Sequence, residues 1–402
     1  MKALRPADHA AVSAAVSAYG TPTWLLDGPQ VHTNLAPWAR VRSRPGHDVF
    51  ASVKANPAPP LLRTIGEAGL GLDVASAFDI EAAAAAGVPE ARLSFCTRAL
   101  VDEDALRAVG CGTVVASDAD QGDRWASLGR SQMGLRINTG VLAGFHEHVQ
   151  TAPAGHRFGF PIATAVAAIA EARADGRQID GLHTHLGSDI LDPSTHVEAA
   201  ARLASLAQQV GGIEWINLGG GYGVPFTADE HAYDLETLLD HLAVVFDGLD
   251  IEIRFEPGTH ISRDAGWLLA TVLSVALVDG VQHVTVDSSV NHLAGALLYG
   301  TQHPISVVDH GGLVEPAGRD GRATVVSGML MQPGDVLASD SWLPPLTEGS
   351  VLAFGLAGAY TAVRATTFNG RPLPAEVWWT GTDVELIRRR RTAAELYAET
   401  YP

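Results

Sequence analysis

Lys54 is the residue with the most distinctive chemical potential in this chain. Only two of the 27 basic residues are lysines, Lys2 and Lys54, and the other 25 are arginines. Arginine stays protonated in proteins, so it cannot serve as an amine nucleophile. Lys2 lies at the terminus, where chains are usually frayed. Lys54 follows an apolar run at 49–51 and precedes the turn-forming Asn56. A lysine in such a partly desolvated position has a lowered pKa and can form a Schiff base.

Other residues with complementary chemistry follow apolar segments. The glycine-rich run LGGGYG at 218–223 would let backbone N–H groups approach a phosphate closely. Glu256 ends the segment IEIRFE, and a buried glutamate can keep a pyridinium nitrogen protonated through a charge-assisted hydrogen bond. His185, in HTHLGS, carries a flat ring that can stack on an aromatic cofactor. Together these residue types describe a site for pyridoxal 5′-phosphate (PLP).

The alternation of elements explains how these residues would meet. From about residue 35 to 280, short apolar strands alternate with alanine-rich helical stretches, which predicts a closed parallel (β/α)8 barrel of the TIM type. An open doubly wound sheet is the alternative. The predicted strands cover residues 49–54, 70–75, 92–97, 113–117, 133–138, 179–186, 214–220 and 251–257. Active sites of such barrels gather at the C-terminal ends of the strands. The residues expected on that rim are Lys54, Asp73, Arg136, His185, Ser188, the glycines of 218–223 and Glu256.

A second domain is predicted after residue 280. There the chain consists of β-branched and apolar segments closely separated by proline and glycine, which is typical of an all-β domain. The segment TPTWLLDG near the start is a candidate additional strand of it. We therefore predict an N-terminal segment (1–34) that joins the β-domain, a PLP-binding barrel (35–280) and a C-terminal β-sandwich or β-barrel (281–402).

Composition excludes several classes of partner. The net charge of −18 argues against nucleic acid, and no run of about 18 uncharged apolar residues indicates a membrane span. The first residues lack a signal-peptide core, so a cytoplasmic location is expected. The two cysteines, Cys96 and Cys111, are expected to be free thiols. The four arginines at 388–391 are expected to form a solvated or salt-bridged end of an element.

Seven ordered motifs carry a family resemblance: SVKANP, GLDVAS, HTHLGS, NLGGGYG, EPG, LYGTQHPI and GLAGAY. They resemble the fold-type III PLP-dependent decarboxylases, the diaminopimelate, ornithine and arginine decarboxylase group with an alanine-racemase-like barrel. The likeness extends from about residue 19 to 377. It implies a PLP-dependent carboxy-lyase that decarboxylates an amino acid, and a homodimer with active sites shared between subunits.

The resemblance also implies a role for each matching position. Lys54 would be the internal aldimine lysine, His185 would stack on the cofactor ring, and Glu256 would pair with the pyridine nitrogen. Asp73 and Arg136 would line the cofactor pocket. The residues implied to bind the cofactor through its phosphate are Ser188, Gly220, Gly221, Gly258 and Tyr360.

Several of these residues also have simpler interpretations. His183 and His185 form an HxH pair, but no cysteine or acid at convincing spacing supports a metal site, and the HEH at 146–148 is more typical of a loop. Asp73 could cap the helix that follows it. The run 218–223 lacks the strand–GxGxxG–helix context of a dinucleotide site. GLAGAY, which contains Tyr360, could be a strand-packing motif.

The chain departs from the family at positions that touch substrate. Met331 stands where the family has a cysteine that acts as general acid, and Gln332 stands at the neighbouring acidic position. A thioether has no proton to give. Thr259 and Gly295 occupy two positions where relatives place arginines. These absences favour a neutral, bulky or tethered amino-acid substrate, and a role in specialised metabolism is expected.

Glu256 favours decarboxylation over racemisation, because alanine racemases place an arginine at the ring nitrogen. The proton for the substrate carbon would then come from Lys54, His185, Tyr299 or water. The alternatives are a decarboxylation-dependent transaminase, a racemase or another PLP lyase on the same scaffold, and a PLP-binding protein with little catalysis.

Overall fold

The computed structural model describes residues 6–143, 158–227, 229–309, 312–314 and 321–401. The chain divides into two units. The barrel unit comprises Asn34–Pro225 and Glu230–His260. The sheet unit comprises Met1–Thr33, Phe226–Asp229 and Ile261–Pro402.

The helices and strands alternate regularly in the first two thirds of the chain. In chain order the elements to residue 262 are α1 (Pro6–Tyr19), β1 (Thr23–Asp27), α2 (Gly28–Arg42), β2 (His47–Ser52), α3 (Pro59–Glu67), β3 (Gly71–Val74), α4 (Ala77–Ala85), β4 (Leu93–Cys96), α5 (Asp102–Ala108), β5 (Thr113–Ala116), α6 (Ala119–Ser127), β6 (Gln132–Asn138), β7 (Phe160–Pro161), α7 (Ile162–Ala174), β8 (Gln178–His183), α8 (Ser194–Val210), β9 (Trp215–Asn217), α9 (Leu235–Val245), β10 (Glu252–Phe255) and α10 (Thr259–Ser262). The later elements are β11 (Gly266–Val278), β12 (Val281–Val286), α11 (Ala294–Tyr299), β13 (Ile305–Asp309), β14 (Gly312–Val314), β15 (Arg322–Ser327), β16 (Val336–Leu343), β17 (Val351–Phe354), β18 (Ala375–Trp379), β19 (Val384–Arg388) and α12 (Ala393–Thr400).

The barrel unit contains a closed parallel sheet. Its strands follow the order β5-β4-β3-β2-β10-β9-β8-β6, and a further pairing of β5 with β6 closes the ring. Each of the eight strands lies at a position that the apolar pattern predicts. The (β/α)8 prediction is confirmed, and the open doubly wound alternative is wrong because an open sheet has two unpaired edges. Helices after each strand cover the outside, which is why these strands are apolar on both faces.

The sheet unit is built around a ten-stranded mixed sheet in the order β14-β13-β17-β11-β1-β18-β19, from which β12, β15 and β16 branch. Side chains alternate between its faces. Trp24 and Leu268 lie in one buried cluster, whereas Leu25 and Leu269 lie in another with residues of α1. The central strands are therefore buried on both faces, which accounts for the apolar run WLLATV in β11.

The N-terminal strand β1 pairs with β11 and with β18, so it lies in the later sheet. One boundary differs from the sequence-based division. The border between the units falls at residues 260 and 261, earlier than residue 280. The apolar sequence of β11 resembles that of a barrel strand. Its partners β1, β17 and β12, however, all lie in the sheet unit.

The arginine run at 388–391 is structural, as predicted. Arg388 and Arg389 pair with Glu376 and Glu395, and Arg391 pairs with Glu399. Arg390 instead donates to backbone carbonyls near the start of β1. The prediction of free thiols is also confirmed, since both cysteines are buried and unbridged. No helix in the described part of the chain is long and apolar enough to cross a bilayer.

Candidate active site

Lys54 lies just beyond the C-terminal end of β2, in a short 3₁₀ turn over Val53–Ala55. Its ammonium Nζ donates to Asp73 Oδ2 at 2.7 Å, and Ser52 Oγ donates to the same oxygen at 2.7 Å. Asp73 is buried, with 2% of its surface exposed, whereas the Lys54 side chain is 44% exposed. The lysine is therefore held by a fixed carboxylate while its amine still reaches solvent.

Asp73 is not the cap of the following helix. Ser76 caps α4, because its side chain accepts the hydrogen bond from the Asp79 N–H. Burial and the nearby charge of Glu256 raise the pKa of Asp73, and the Lys54 ammonium opposes that rise. The ionised carboxylate thus depends on its lysine partner, which ties the two residues into one functional unit.

The glycine run after β9 forms a loop in which side chains cannot fit. Gly219 and Gly221 have φ of +70° and +99°, a region that favours glycine. A Cβ on Gly219 would lie 2.3 Å from the Thr184 carbonyl oxygen, and one on Gly221 would lie 2.4 Å from the Gly187 carbonyl oxygen. The loop therefore packs backbone against backbone with the segment after β8.

We expect Gly219→Ala to weaken cofactor binding about tenfold or more, because the loop must move to relieve the backbone clash. One order of magnitude in affinity corresponds to roughly 1.4 kcal/mol. Titration of apoprotein with PLP measures the effect. Gly248→Ala is the matched control, since Gly248 has φ of +74° but nothing lies within 4 Å of the added Cβ. Equal losses in both variants would show that backbone strain alone is responsible.

Glu256 follows β10 and is buried, with 4% of its surface exposed. Its Oε1 accepts from Asn217 Nδ2 at 2.7 Å, and its Oε2 lies 3.1 Å from His183 Nε2. Desolvation alone would raise the pKa of Glu256, but the combined influence of His183, Lys54 and His185 holds it at about 2. The site therefore contains a buried carboxylate that stays ionised at neutral pH.

His185 is oriented by the glycine loop. Its Nδ1 accepts a hydrogen bond from the Gly220 N–H at 3.1 Å. That bond requires an unprotonated Nδ1, so the proton of the neutral ring lies on Nε2. Desolvation, together with the Lys54 and Arg136 charges, lowers the pKa of His185 well below its usual value. The ring is neutral at physiological pH and suited to stacking.

The remaining predicted residues of the barrel unit lie on the same rim. Arg136 is buried near the end of β6, with its guanidinium 4.8 Å from the Phe158 ring centre. Ser188 is half-buried in the segment after β8 that packs against the glycine loop. Gly258 lies between Pro257 and α10, and the Pro257 carbonyl accepts from the Ser52 N–H at 3.0 Å. The structure thus gathers the predicted residues of the barrel at the C-terminal strand ends.

Tyr299 and Tyr360 belong to the sheet unit, where Arg364 lies against both. The Arg364 guanidinium is 5.5 Å from the Tyr299 ring centre and 5.0 Å from that of Tyr360, and its Nη1 donates to the Tyr299 hydroxyl at 3.1 Å. Tyr360 has φ of +55°, which is uncommon for a residue with a side chain. Sequence reasoning missed Arg364, because nothing local relates it to Tyr299.

Met331 and Gln332 lie on a tightly held turn of the sheet unit, residues 328–335. The buried Asp335 carboxylate accepts from the Val290 N–H at 2.8 Å and from the Leu330 N–H at 2.7 Å. Met331 is 92% exposed, and its N–H donates to Asn369 Oδ1 at 3.1 Å. The turn therefore presents the methionine outward on a fixed backbone.

Sequence reasoning also missed residues that support the glycine loop. His196 is fully buried on α8, with Nε2 3.1 Å from the Gly220 carbonyl and Nδ1 3.0 Å from the Tyr233 hydroxyl. Its ring stacks on Tyr222 at 4.6 Å. Desolvation lowers the pKa of His196 to about 4, so the ring is neutral. The only sequence signal for His196 was a histidine within an alanine-rich helix.

The HxH pair does not act as a pair. His183 faces Glu256, whereas His185 faces the glycine loop. Within the described ranges, no group of three His, Cys, Asp or Glu side chains is arranged to hold a metal ion. The histidines at 146–148 lie outside the described residues.

Comparison with known proteins decides the family. The model of the pyridoxal binding domain of pyridoxal-dependent decarboxylases matches residues 30–263. The diaminopimelate decarboxylase of Deinococcus radiodurans is 31% identical over 96% of this chain and 98% of its own. This chain belongs to the pyridoxal-dependent decarboxylases. A second relative, the diaminopimelate decarboxylase of Pseudomonas fluorescens, is 30% identical over 98% of this chain and 95% of its own.

Solved structures agree on the fold of this decarboxylase. The diaminopimelate decarboxylase of Helicobacter pylori, complexed with L-lysine, superimposes with a TM-score of 0.89 over 97% of this chain and 99% of its own, at 23% identity. The fold-type III resemblance seen in the motifs is confirmed. The protein is a PLP-dependent amino-acid carboxy-lyase.

The residues present fit pyridoxal 5′-phosphate. Lys54 supplies the amine, the buried Glu256 supplies a carboxylate with a lowered pKa, and the glycine loop at 218–223 exposes backbone that no side chain covers, since a Cβ there would clash. An aldehyde, a basic ring nitrogen and a phosphate are the complementary groups of the cofactor.

Proposed function

We propose that this decarboxylase removes the α-carboxylate of its amino-acid substrate with Lys54 as the cofactor-bearing residue and Glu256 as the partner of the ring nitrogen. The observation that carries the assignment is the buried Glu256, hydrogen-bonded to Asn217 and His183, in the same barrel rim as the Lys54–Asp73 pair. When bound, PLP supplies the electron sink that decarboxylation requires. His185 packs on the ring, Asp73 and Arg136 line its pocket, and Ser188, Gly220, Gly221, Gly258 and Tyr360 hold its phosphate.

Lys54 is also the best proton donor to the substrate carbon. Met331 has no proton to donate, and the neutral His185 is a weak acid. Burial raises the pKa of the Cys96 thiol to about 11, so this group is a weak acid too. The Lys54 ammonium, fixed by Asp73, combines a mobile proton with an exposed position.

The direct test is reduction with borohydride followed by peptide mass spectrometry, together with carbon dioxide release from an amino-acid panel. We expect a pyridoxyl group on Lys54 and release of carbon dioxide from at least one amino acid. Decarboxylation in deuterated water should place a single deuterium on the product carbon. An aldehyde product would instead favour the decarboxylation-dependent transaminase, the second candidate that Met331 motivates.

We propose that the protein is a cytoplasmic homodimer in which the turn at 328–335 of one subunit completes the site of the other. The exposed position of Met331 on a rigid turn supports this arrangement. The two buried free thiols are consistent with a reducing compartment. Sedimentation analysis measures the oligomer directly, and a monomer with full activity would contradict the proposal.

Arg364 supplies a guanidinium in a chain whose Thr259 and Gly295 occupy positions where relatives place arginines. It has no acidic partner among the described residues and contacts Tyr299 and Tyr360 instead. A carboxylate is the natural ligand of such an arginine. We propose that Arg364 binds a carboxylate of the substrate, so a second carboxylate on the amino acid remains compatible with this chain.

We expect Arg364→Met to raise KM about 10- to 100-fold with a smaller effect on kcat, the loss typical of a hydrogen bond to a charged group. Steady-state kinetics with mono- and dicarboxylic amino acids measures it. Arg371→Met is the control, because Arg371 is exposed in the same unit. An unchanged KM in Arg364→Met would assign that arginine to aromatic packing alone.

A further inference from the structure

Glu256 is the centre of a buried network whose other members have no assigned role. His183 is 1% exposed and Asn217 is fully buried. Each uses one nitrogen to contact one oxygen of Glu256, at 3.1 Å from His183 Nε2 and 2.7 Å from Asn217 Nδ2. The three residues come from the ends of β8, β9 and β10, which are adjacent strands.

The orientation of the Asn217 amide is decided by the glycine loop. Its Oδ1 accepts the Gly219 N–H at 2.8 Å, which only an oxygen can do. The Nδ2 group therefore faces Glu256 as a donor. The backbone confirms the alignment from the other side, since the Glu256 N–H donates to the Gly219 carbonyl at 2.8 Å. Asn217 thus couples the position of the glycine loop to that of the Glu256 carboxylate.

The direction of the His183 hydrogen bond follows from its partner. The Glu256 carboxylate accepts, so His183 Nε2 carries a proton and donates to Oε2. His183 Nδ1 is buried and has no hydrogen-bond partner in the described part of the chain. In that part of the chain, Glu256 is therefore the only hydrogen-bond partner of the His183 ring.

The two donors occupy only part of the carboxylate. An ionised carboxylate offers about four lone-pair sites, so further ones remain for a donor in the pocket. The charged and titratable groups that interact electrostatically with Glu256 include Lys54, Asp73, Cys96, His183, His185 and Tyr222. Without the hydrogen bonds from His183 and Asn217, burial and the Asp73 charge would favour protonation of Glu256, and a protonated acid could not hold a ring proton.

We propose that His183 and Asn217 are positioning residues that keep Glu256 ionised and fix its plane, so that the ring nitrogen of the cofactor retains its proton. The inference deepens the proposed function and rests on the pairing of Glu256 with that nitrogen. His183 and Asn217 do not touch the reacting atoms in this scheme. They act through Glu256.

The test uses holoenzyme reconstituted with PLP carrying ¹⁵N in the ring, and reads the nitrogen chemical shift by NMR. We expect His183→Phe and Asn217→Ser to move the shift toward the unprotonated value, and to lower kcat about 10- to 100-fold with little change in KM. His183→Gln retains a hydrogen-bond donor in its side-chain amide. Its nitrogen chemical shift and kcat should therefore be close to those of the parent protein. His241→Gln, an exposed histidine on α9, is the control.

Two results separate the possible failures. If Glu256→Gln moves the nitrogen shift but neither His183→Phe nor Asn217→Ser does, the positioning role is overturned while the pairing stands. If Glu256→Gln itself leaves the shift unchanged, the proposed pairing is overturned and the positioning role falls with it. Circular dichroism and the PLP dissociation constant identify variants that do not fold. If His183→Phe does not fold, Asn217→Ser still tests the positioning role.

Discussion

Lys54→Ala is expected to lose carbon dioxide release by at least about 1,000-fold, because it removes both covalent attachment and a positioned proton donor, which by itself contributes about 10²–10⁴-fold. The variant should also lack the near-visible absorption band of the attached cofactor. Asp73 would then lose its cation. Because burial already raises the pKa of Asp73, we expect the carboxylate to take up a proton, so the fold is retained.

Lys54→Arg separates the amine from the charge. Arginine can keep the ion pair with Asp73, yet it stays protonated and cannot attach the cofactor. We expect Lys54→Arg to be as inactive as Lys54→Ala but closer to the parent protein in stability, measured by thermal unfolding. Activity in Lys54→Arg within tenfold of the parent protein would disprove the assignment of Lys54.

Glu256→Gln is expected to lower kcat on the order of 10²–10³-fold, the usual loss when one preorganised electrostatic group is removed. Glutamine has nearly the same shape but no charge. Its amide NH₂ would also face either the Asn217 donor or the His183 donor, which leaves a buried clash of donors. Single-turnover decarboxylation at saturating PLP measures the chemical step separately from cofactor loss.

The same strand offers a control for Glu256→Gln. Glu252 begins β10 at its other end and pairs with Arg254 at 2.6 Å. Glu252→Gln also removes one negative charge, but the N-terminal end of a barrel strand serves stability. We expect its kcat to stay within about twofold of the parent value, the spread of small surface effects. Equal losses in the two variants would argue against a specific role for Glu256.

The barrel was predictable because its signal is local. A strand that is covered on both faces must be apolar throughout, so each strand can be recognised from a few consecutive residues. The C-terminal rim then follows from the common direction of parallel strands, which is why Lys54 and Glu256 could be placed on one rim although 202 positions of sequence separate them. The predicted domain boundary was wrong at strand β11 for the same reason. An apolar sequence identifies a buried strand but not the strands with which it pairs.

The hydrogen-bond partners were not predictable. The role of His183 depends on Glu256, which lies 73 positions later, and Arg364 contacts a tyrosine 65 positions earlier. No local periodicity links such pairs. Asp73 shows the same limit, since its position before a helix allows a capping role that Ser76 in fact performs.

The amino-acid sequence by itself determined the fold class and the cofactor, and it singled out Lys54 as the candidate to bear that cofactor. Those properties follow from residue types at recurring places in a repeated strand–helix pattern. Only the tertiary structure decided which carboxylate is paired, which histidine is neutral and which glutamate stays ionised. The physical reason is that protonation depends on desolvation and on neighbouring donors, and both arise only when adjacent strands bring distant residues together.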